Sequence, residues 1–210
     1  MNLAIDKFPK KRLGLVTGSR CSVMFPLRGD GVVGMSTYAK QLAYQRFFGF
    51  YDEVSSWQTE HGNMAESFAF EHYKTYFSAD IEEGRFIVEG ECGGSTDAET
   101  PTKIVDFKCP TSLAKWLDYL YTILDKDQYH QLQMYMYLTG KKEAQIAAYL
   151  TETQFMNDTG IQYPVPEEKR MIIVDVKKEH GWEDRLNAQL PFIVQLRDNF
   201  IEKLNKQFND

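Results

Sequence analysis

The run Lys103-Ile104-Val105-Asp106-Phe107-Lys108 constrains this chain more than any other segment. Its β-branched and aromatic residues favour an extended strand, and Pro110 follows shortly after to end it. Along a strand, successive side chains point to opposite faces. Ile104, Asp106 and Lys108 therefore share one face, and Val105 and Phe107 share the other. Val105 and Phe107 suit a core. Asp106 and Lys108 stand side by side, roughly 6–7 Å apart at the backbone.

The flanking segments predict the layers around this strand. Lys10 to Phe25 reads as a loop entering a short helix, with Thr17 and Ser19 as N-cap residues. Ser36 or Thr37 caps a second helix that runs to about Phe48, before Gly49. A third spans about Gly62 to Ser78, where Phe70, Tyr73 and Phe77 recur at helical spacing. Arg85 to Glu89 alternates like a strand and leads into Gly93-Gly94. Ser112 starts a helix through Tyr121, and a longer one covers Asp127 to Thr139, ending at Gly140. Strands follow at Glu143 to Leu150 and Met171 to Val176, and an amphipathic helix from Trp182 to Lys206 closes the chain. This order predicts an α/β fold with a mixed central β-sheet flanked by helices. With no repeat, low-complexity tract or Pro/Gly-rich linker, residues 1–210 read as one continuous domain.

Composition narrows the classes. Of 210 residues, 43% are hydrophobic and 26% charged, which suits a water-soluble globule with a real core. No apolar run approaches the ~20 residues that cross a bilayer. The basic residues up to Arg12 precede no apolar segment, so the start does not read as a secretory signal. Cys21, Cys92 and Cys109 are few and widely spaced. They argue for a reducing, cytoplasmic setting and against a disulfide framework or a four-cysteine metal cluster. A net charge of −6 disfavours a protein that coats nucleic acid through overall basic excess. It is compatible with a local basic patch beside metal-binding carboxylates, which are themselves acidic until cations neutralise them.

Asp97 follows Gly93-Gly94-Ser95-Thr96, a stretch suited to close approach of backbone. A hairpin joining it to the Lys103–Lys108 strand brings Asp97 and Asp106 together. Two carboxylates with a nearby ammonium form a hard-oxygen site for Mg²⁺ or Mn²⁺. Such a site suits phosphodiester hydrolysis, where divalent cations lower the pKa of water and clamp the attacking and leaving oxygens. Asp97 and Asp106 are then the metal ligands, and Lys108 positions or helps activate water. Glu66 shares a helix face with Phe70, Tyr73 and Phe77. A carboxylate on a buried stripe needs a partner or a metal, although at a helix start it also serves as an ordinary first-turn acid. Gln131 and Tyr135 share a helix face at i and i+4, where packing at the core edge is the plain reading. A second acid-x-lysine triplet, Asp175-Val176-Lys177, shows how little one triplet says alone.

The order of the motifs says more. Arg12-Leu13-Gly14-Leu15-Val16-Thr17-Gly18-Ser19 resembles the R-L-G-[IV]-[IV]-T-[AG]-S opening of the phage lambda exonuclease and YqaJ-type viral recombinase family. Gly62-Asn63-Met64-Ala65-Glu66 resembles its G-x-x-x-E helix start. Ser95-Thr96-Asp97-Ala98 stands where the family has S-P-D-G, and Asp106-Phe107-Lys108-Cys109-Pro110 where it has E-[IL]-K-C-P. Gln131-Leu132-Gln133 resembles the family's Q-x-Q helix, and Gln131 with Tyr135 also fits the Q-x-x-x-Y motif of RecB-type nucleases. The resemblance runs from about Lys11 to Leu204 and selects Asp106–Lys108 over Asp175–Lys177. The chain departs from the pattern at Thr96 for proline, Ala98 for glycine and Asp106 for glutamate.

The resemblance implies a PD-(D/E)xK restriction-endonuclease-like core and a 5′→3′ exonuclease acting on double-stranded DNA ends. Such an enzyme releases 5′-mononucleotides and leaves 3′ overhangs for recombination. It also implies metal binding by Asp97, Asp106, the Phe107 carbonyl and Glu66, with Lys108 acting on water and Gln131 organising the site. Arg12, Thr17 and Ser19 take the terminal 5′-phosphate, since arginine offers a bidentate fork and hydroxyls and N–H groups at a helix start favour anions. Relatives form ring-shaped homotrimers and act beside a single-strand annealing protein. Two alternatives stand: a Cas4-like or endonucleolytic enzyme of the same superfamily, and a catalytically silent DNA-end-binding module. Cas4-like proteins carry iron–sulfur cysteines that this chain lacks.

Overall fold

The computed structural model describes residues 10–25, 31–50, 57–121, 124–151 and 163–209. Residues 1–9 lie outside them. In chain order the elements are β1 (Val16–Thr17), a 3₁₀ helix (Gly18–Met24), α1 (Gly31–Phe48), α2 (Trp57–Tyr76), β2 (Glu82–Glu83), β3 (Phe86–Glu89), β4 (Cys92–Ser95), β5 (Ala98–Glu99) and β6 (Lys103–Lys108). Then come α3 (Leu113–Tyr121), α4 (Lys126–Thr139), β7 (Glu143–Tyr149), β8 (Met171–Lys177) and α5 (Trp182–Phe208). The expected mixed α/β architecture is present, but the strands divide into two sheets. One is ordered β1-β4-β3 and the other β2-β5-β6-β7-β8. The chain passes from the first to the second through Thr96 and Asp97.

β6 lies within the larger sheet, antiparallel to β5 and parallel to β7. A parallel pair needs a long crossover, and α3 and α4 supply it. That connection lays α4 over the face of β6 that carries Ile104, while α2 covers the face of Val105 and Phe107. Ile104 packs with Leu132, Tyr135 and Met136 of α4. Val105 and Phe107 pack with Ala69 and Tyr73 of α2. Both faces of the strand are therefore buried, beyond the single core face expected from alternation. Ala144, Ala147 and Ala148 of β7 keep the neighbouring surface low and admit helices on both sides. A third apolar cluster joins α1 and α5 to β1 and the 3₁₀ helix, with Leu42, Trp182 and Ile193 fully enclosed. Each such side chain contributes about 1.5–3 kcal/mol on leaving water.

Several expected boundaries move. The helix placed at Ser36 or Thr37 begins at Gly31, so neither residue caps it; its end before Gly49, in the left-handed region at φ 63°, is as expected. α2 begins at Trp57 rather than near Gly62, and it ends at Tyr76, which leaves Phe77 beyond the helix and half-exposed. The longer α2 removes the first-turn reading of Glu66, which sits well inside the helix. Lys10 to Phe25 contains a strand as well as a short helix. Thr17 flanks that helix without a side-chain capping bond. α4 is capped by Asp125, whose carboxylate accepts from Asp127 N–H at 3.1 Å, and it ends on Gly140 at φ 73°. Among the described residues, no helix is long and apolar enough to cross a membrane.

Candidate active site

Strand register brings the two aspartates together. Ala98 pairs with Val105 and Glu99 with Ile104 in the antiparallel β5–β6 ladder. One step further, Asp97 faces the Asp106 end of β6. Its Oδ2 accepts a hydrogen bond from the Phe107 N–H at 2.8 Å, which pins the carboxylate to the backbone beside Asp106. Asp106 is 1% exposed. Its Oδ2 lies 2.6 Å from Lys108 Nζ in an ion pair, and among the described residues its Oδ1 accepts no hydrogen bond.

The turn that carries Asp97 is built around Thr96, where the related motif has proline. Thr96 uses groups that proline lacks. Its N–H donates to the Arg85 carbonyl at 3.3 Å, and its hydroxyl accepts from Arg85 N–H and donates to Glu99 Oε1 at 3.0 Å. Gly84 closes the other side, donating its N–H to the Asp97 carbonyl at 2.9 Å. A Cβ at Gly84 would lie 1.8 Å from the Thr96 carbonyl oxygen, so only glycine fits.

Glu66 of α2 reaches the same charge cluster. Its carboxyl is held above the ordinary range by burial and then by the charge of Asp106, with Lys108 opposing. Asp97 is raised well above its ordinary value by burial, then by Asp106. Glu66 adds to the effect, while Lys108 and the Phe107 N–H work against it. Burial disfavours the Lys108 ammonium, yet Asp106 and Asp97 outweigh that and hold it protonated. Glu66, Asp97 and Asp106 thus act on one another electrostatically with one ammonium between their charges, an imbalance that a cation would relieve. Cys109 is pushed up to about 12, chiefly by burial and then by Glu66 and Asp97, so it stays a thiol beside the cluster.

The donor set fits a hard divalent ion. An unpartnered oxygen on a buried carboxylate is costly unless something charged meets it. Among the described residues, no group of three His, Cys, Asp or Glu side chains could hold a metal ion. The pair Asp97 and Asp106 is the nearest candidate, and few protein ligands suit Mg²⁺ because it retains several waters. Lys108 also borders a cleft of about 360 Å³ shared with Lys115, Tyr119 and Gln128.

Gln131 and Tyr135 stand beside this cluster. Gln131 Nε2 donates to the Tyr135 hydroxyl at 2.9 Å. Burial, followed by Asp106 and Asp97, raises the Tyr135 phenol, so it remains neutral. Its ring fills the space over two glycines: a Cβ at Gly18 or Gly94 would lie 2.7 Å from Tyr135 Cε1. Gly18 belongs to the segment that carries the other predicted residues. Arg12, Thr17 and Ser19 line one cavity of about 490 Å³ against α1. The Thr17 N–H is not free for an anion, since it donates to the Tyr38 hydroxyl at 2.9 Å. The Thr17 hydroxyl lies 3.2 Å from Tyr38 Oη and 3.4 Å from Ser19 Oγ. Sequence reasoning missed Arg20 and Tyr38, which line the same cavity. Arg20 adjoined Ser19 in the motif, but Tyr38 carried no local signal.

No family model and no curated protein matches the sequence. Solved structures do. The chain is similar to the alkaline exonuclease LHK-Exo from Laribacter hongkongensis, at 18% identity over 94% of each chain with a TM-score of 0.75. The same protein in complex with dAMP aligns at 19% identity over 94% of this chain and 95% of that one, with a TM-score of 0.70. A phage-related exonuclease from Haemophilus somnus 129PT aligns at 17% identity over 90% of this chain and 96% of that one, with a TM-score of 0.73. Likeness at this level of identity establishes the fold, which the chain shares with these solved structures.

Proposed function

We propose that this chain is a divalent-metal-dependent exonuclease that acts on the ends of double-stranded DNA. In this reading it degrades 5′→3′, releases 5′-mononucleotides and leaves 3′ overhangs for phage-type recombination. The observation that carries the reading is the buried, incompletely partnered Asp106 carboxylate between Lys108 and the pinned Asp97. A purely structural acid in that position would be expected to have its oxygens satisfied. Asp97, Asp106 and the Phe107 carbonyl would hold Mg²⁺, or Mn²⁺ in its place, with Glu66 adding negative charge nearby. When bound, the ion supplies Lewis acidity toward a phosphodiester.

The protein's own groups supply the rest. Lys108, kept protonated by its two aspartates, orients water and offsets charge developing on the phosphate. Gln131 holds the Tyr135 hydroxyl, and Tyr135 keeps its ring against the segment bearing Thr17 and Ser19. The Arg12 fork and the two hydroxyls take the 5′-terminal phosphate of the degraded strand. The structures to which the chain is similar are named exonucleases, one of them bound to dAMP, and that supports the reaction class. Assembly as a homotrimer and cooperation with a single-strand annealing protein belong to this reading through the motif resemblance.

Mg²⁺-supported digestion of linear and covalently closed duplex DNA tests the proposal. Linear DNA is expected to shorten from its ends while closed circles survive. Asp97→Ala and Lys108→Ala should each lower turnover at least about a hundredfold, the scale of losing one well-placed charged group. Cutting of closed circles would defeat the exonuclease reading, and full activity in both variants would defeat the site.

A further inference from the structure

The acids assigned to the metal leave out Glu99, which stands two residues after Asp97 on β5 and keeps only 13% of its side chain exposed. Its two oxygens are committed in different directions. Oε1 accepts the Thr96 hydroxyl at 3.0 Å, and Oε2 lies 3.1 Å from Lys141 Nζ in an ion pair. Arg85 adds a longer contact at 3.7 Å, from a side chain exposed enough for solvent to screen it. Lys141 is itself largely covered, and it donates as well to the Thr100 carbonyl. It follows Gly140 at the end of α4, the helix that bears Gln131 and Tyr135. Thr96 is buried, and its hydroxyl also accepts from the Arg85 N–H at 3.2 Å. A line of bonds thus runs from the end of α4 through Lys141, Glu99 and Thr96 to the residue before Asp97.

We propose that Glu99 is a positioning residue: bonded to Thr96 on one side and to Lys141 on the other, it fixes the turn that presents Asp97 to a divalent cation. The inference rests on the metal-site reading above and deepens it. Among the described residues the Asp97 carboxylate accepts one hydrogen bond, from the Phe107 N–H. β5, the strand that follows the turn, has two residues, so its ladder alone holds the turn weakly. Hydrogen bonds are directional where apolar packing permits small slips. A carboxylate with both oxygens engaged cannot rotate freely, and it fixes the Thr96 hydroxyl in turn. Lys141 balances the charge of Glu99 locally, so Glu99 acts on the cation site through geometry rather than through its own field.

Two measurements on the full chain without DNA test this role: Mg²⁺ affinity by calorimetry, and hydrogen exchange at the Phe107 amide by NMR. Thr96→Val and Glu99→Ala should each weaken Mg²⁺ binding roughly tenfold and speed Phe107 exchange by a similar factor, the scale of one hydrogen bond to a charged acceptor. The double variant should be no worse than either single one, because both break the same bond. Glu99→Gln keeps an acceptor for Thr96 while removing the charge, and it should stay within about threefold of the parent on both readouts. Glu99→Gln and Thr96→Val preserve side-chain shape, so their contrast decides the matter even where Glu99→Ala does not fold. Glu99→Gln as weak as Thr96→Val would mean that the charge of Glu99 acts through space, and additive losses would mean two separate effects. Either result overturns the role of Glu99 while leaving the metal site in place. Absence of Mg²⁺ binding by the parent protein overturns the metal site, and this role with it.

Discussion

Gly84 shows how tightly single residues are held around the candidate site. It has no side chain to contribute, yet its position decides where Asp97 stands, because the Thr96 carbonyl occupies the volume a methyl group would need. Gly84→Ala must move backbone rather than a flexible side chain. It is expected to cost about 3 kcal/mol, the upper end for overpacking. Nuclease activity should fall further than the folded fraction, as urea titration and end-digestion assays on one preparation would show. At this scale much was legible in the sequence. Alternation along Lys103–Lys108 paired Asp106 with Lys108, and the interval to Asp97 suggested the hairpin that joins them. Gly84 was silent because its constraint comes from Thr96, across a turn between strands too short to leave a periodic signal. Thr96 stands where the related motif has proline, and its N–H and hydroxyl both form bonds that proline cannot make.

Among the elements, α5 carries a charge where its apolar face is buried. Arg197 is 1% exposed. It donates to the Gly14 carbonyl at 3.0 Å, to Glu91 Oε2 at 2.6 Å and to Asp198 at 2.8 Å. Through these bonds α5 holds both the segment leading to Thr17 and the start of β4. Glu91 keeps 35% of its side chain exposed and can rehydrate, so Arg197→Ala should destabilise the protein by about 1.5–3 kcal/mol in urea unfolding, the scale of hydrogen bonds to a charged group. The pair also has a pH signature. The Arg197 hydrogen bond leads the effects that hold Glu91 below the ordinary carboxylate range. A depressed carboxyl contributes stability that is present above its unfolded pKa and lost as pH falls through the folded value. The stability difference between parent and Arg197→Ala should therefore narrow in acid. Long helices and strands were readable from periodicity. The division into two sheets was not, since β1, β2 and β5 have two residues each and are defined by their partners rather than their own pattern.

For the whole molecule, the uncompensated acids around Lys108 predict a response to cations that any global probe can follow. Mg²⁺ at about a hundred times its dissociation constant should add about 2.7 kcal/mol, enough to raise the melting temperature by several degrees. A chelator should reverse the rise, and Asp106→Asn should abolish it, in a thermal melt that requires no substrate. The cavity that lines up Arg12 and Ser19 is built on the smaller sheet, and Asp106 belongs to the larger. Asp97 lies on the seam where the backbone changes over between them, so its placement answers to both bodies. In the proposed reading, a strand end held against the smaller sheet and a cation held by Asp97 would load the same joint.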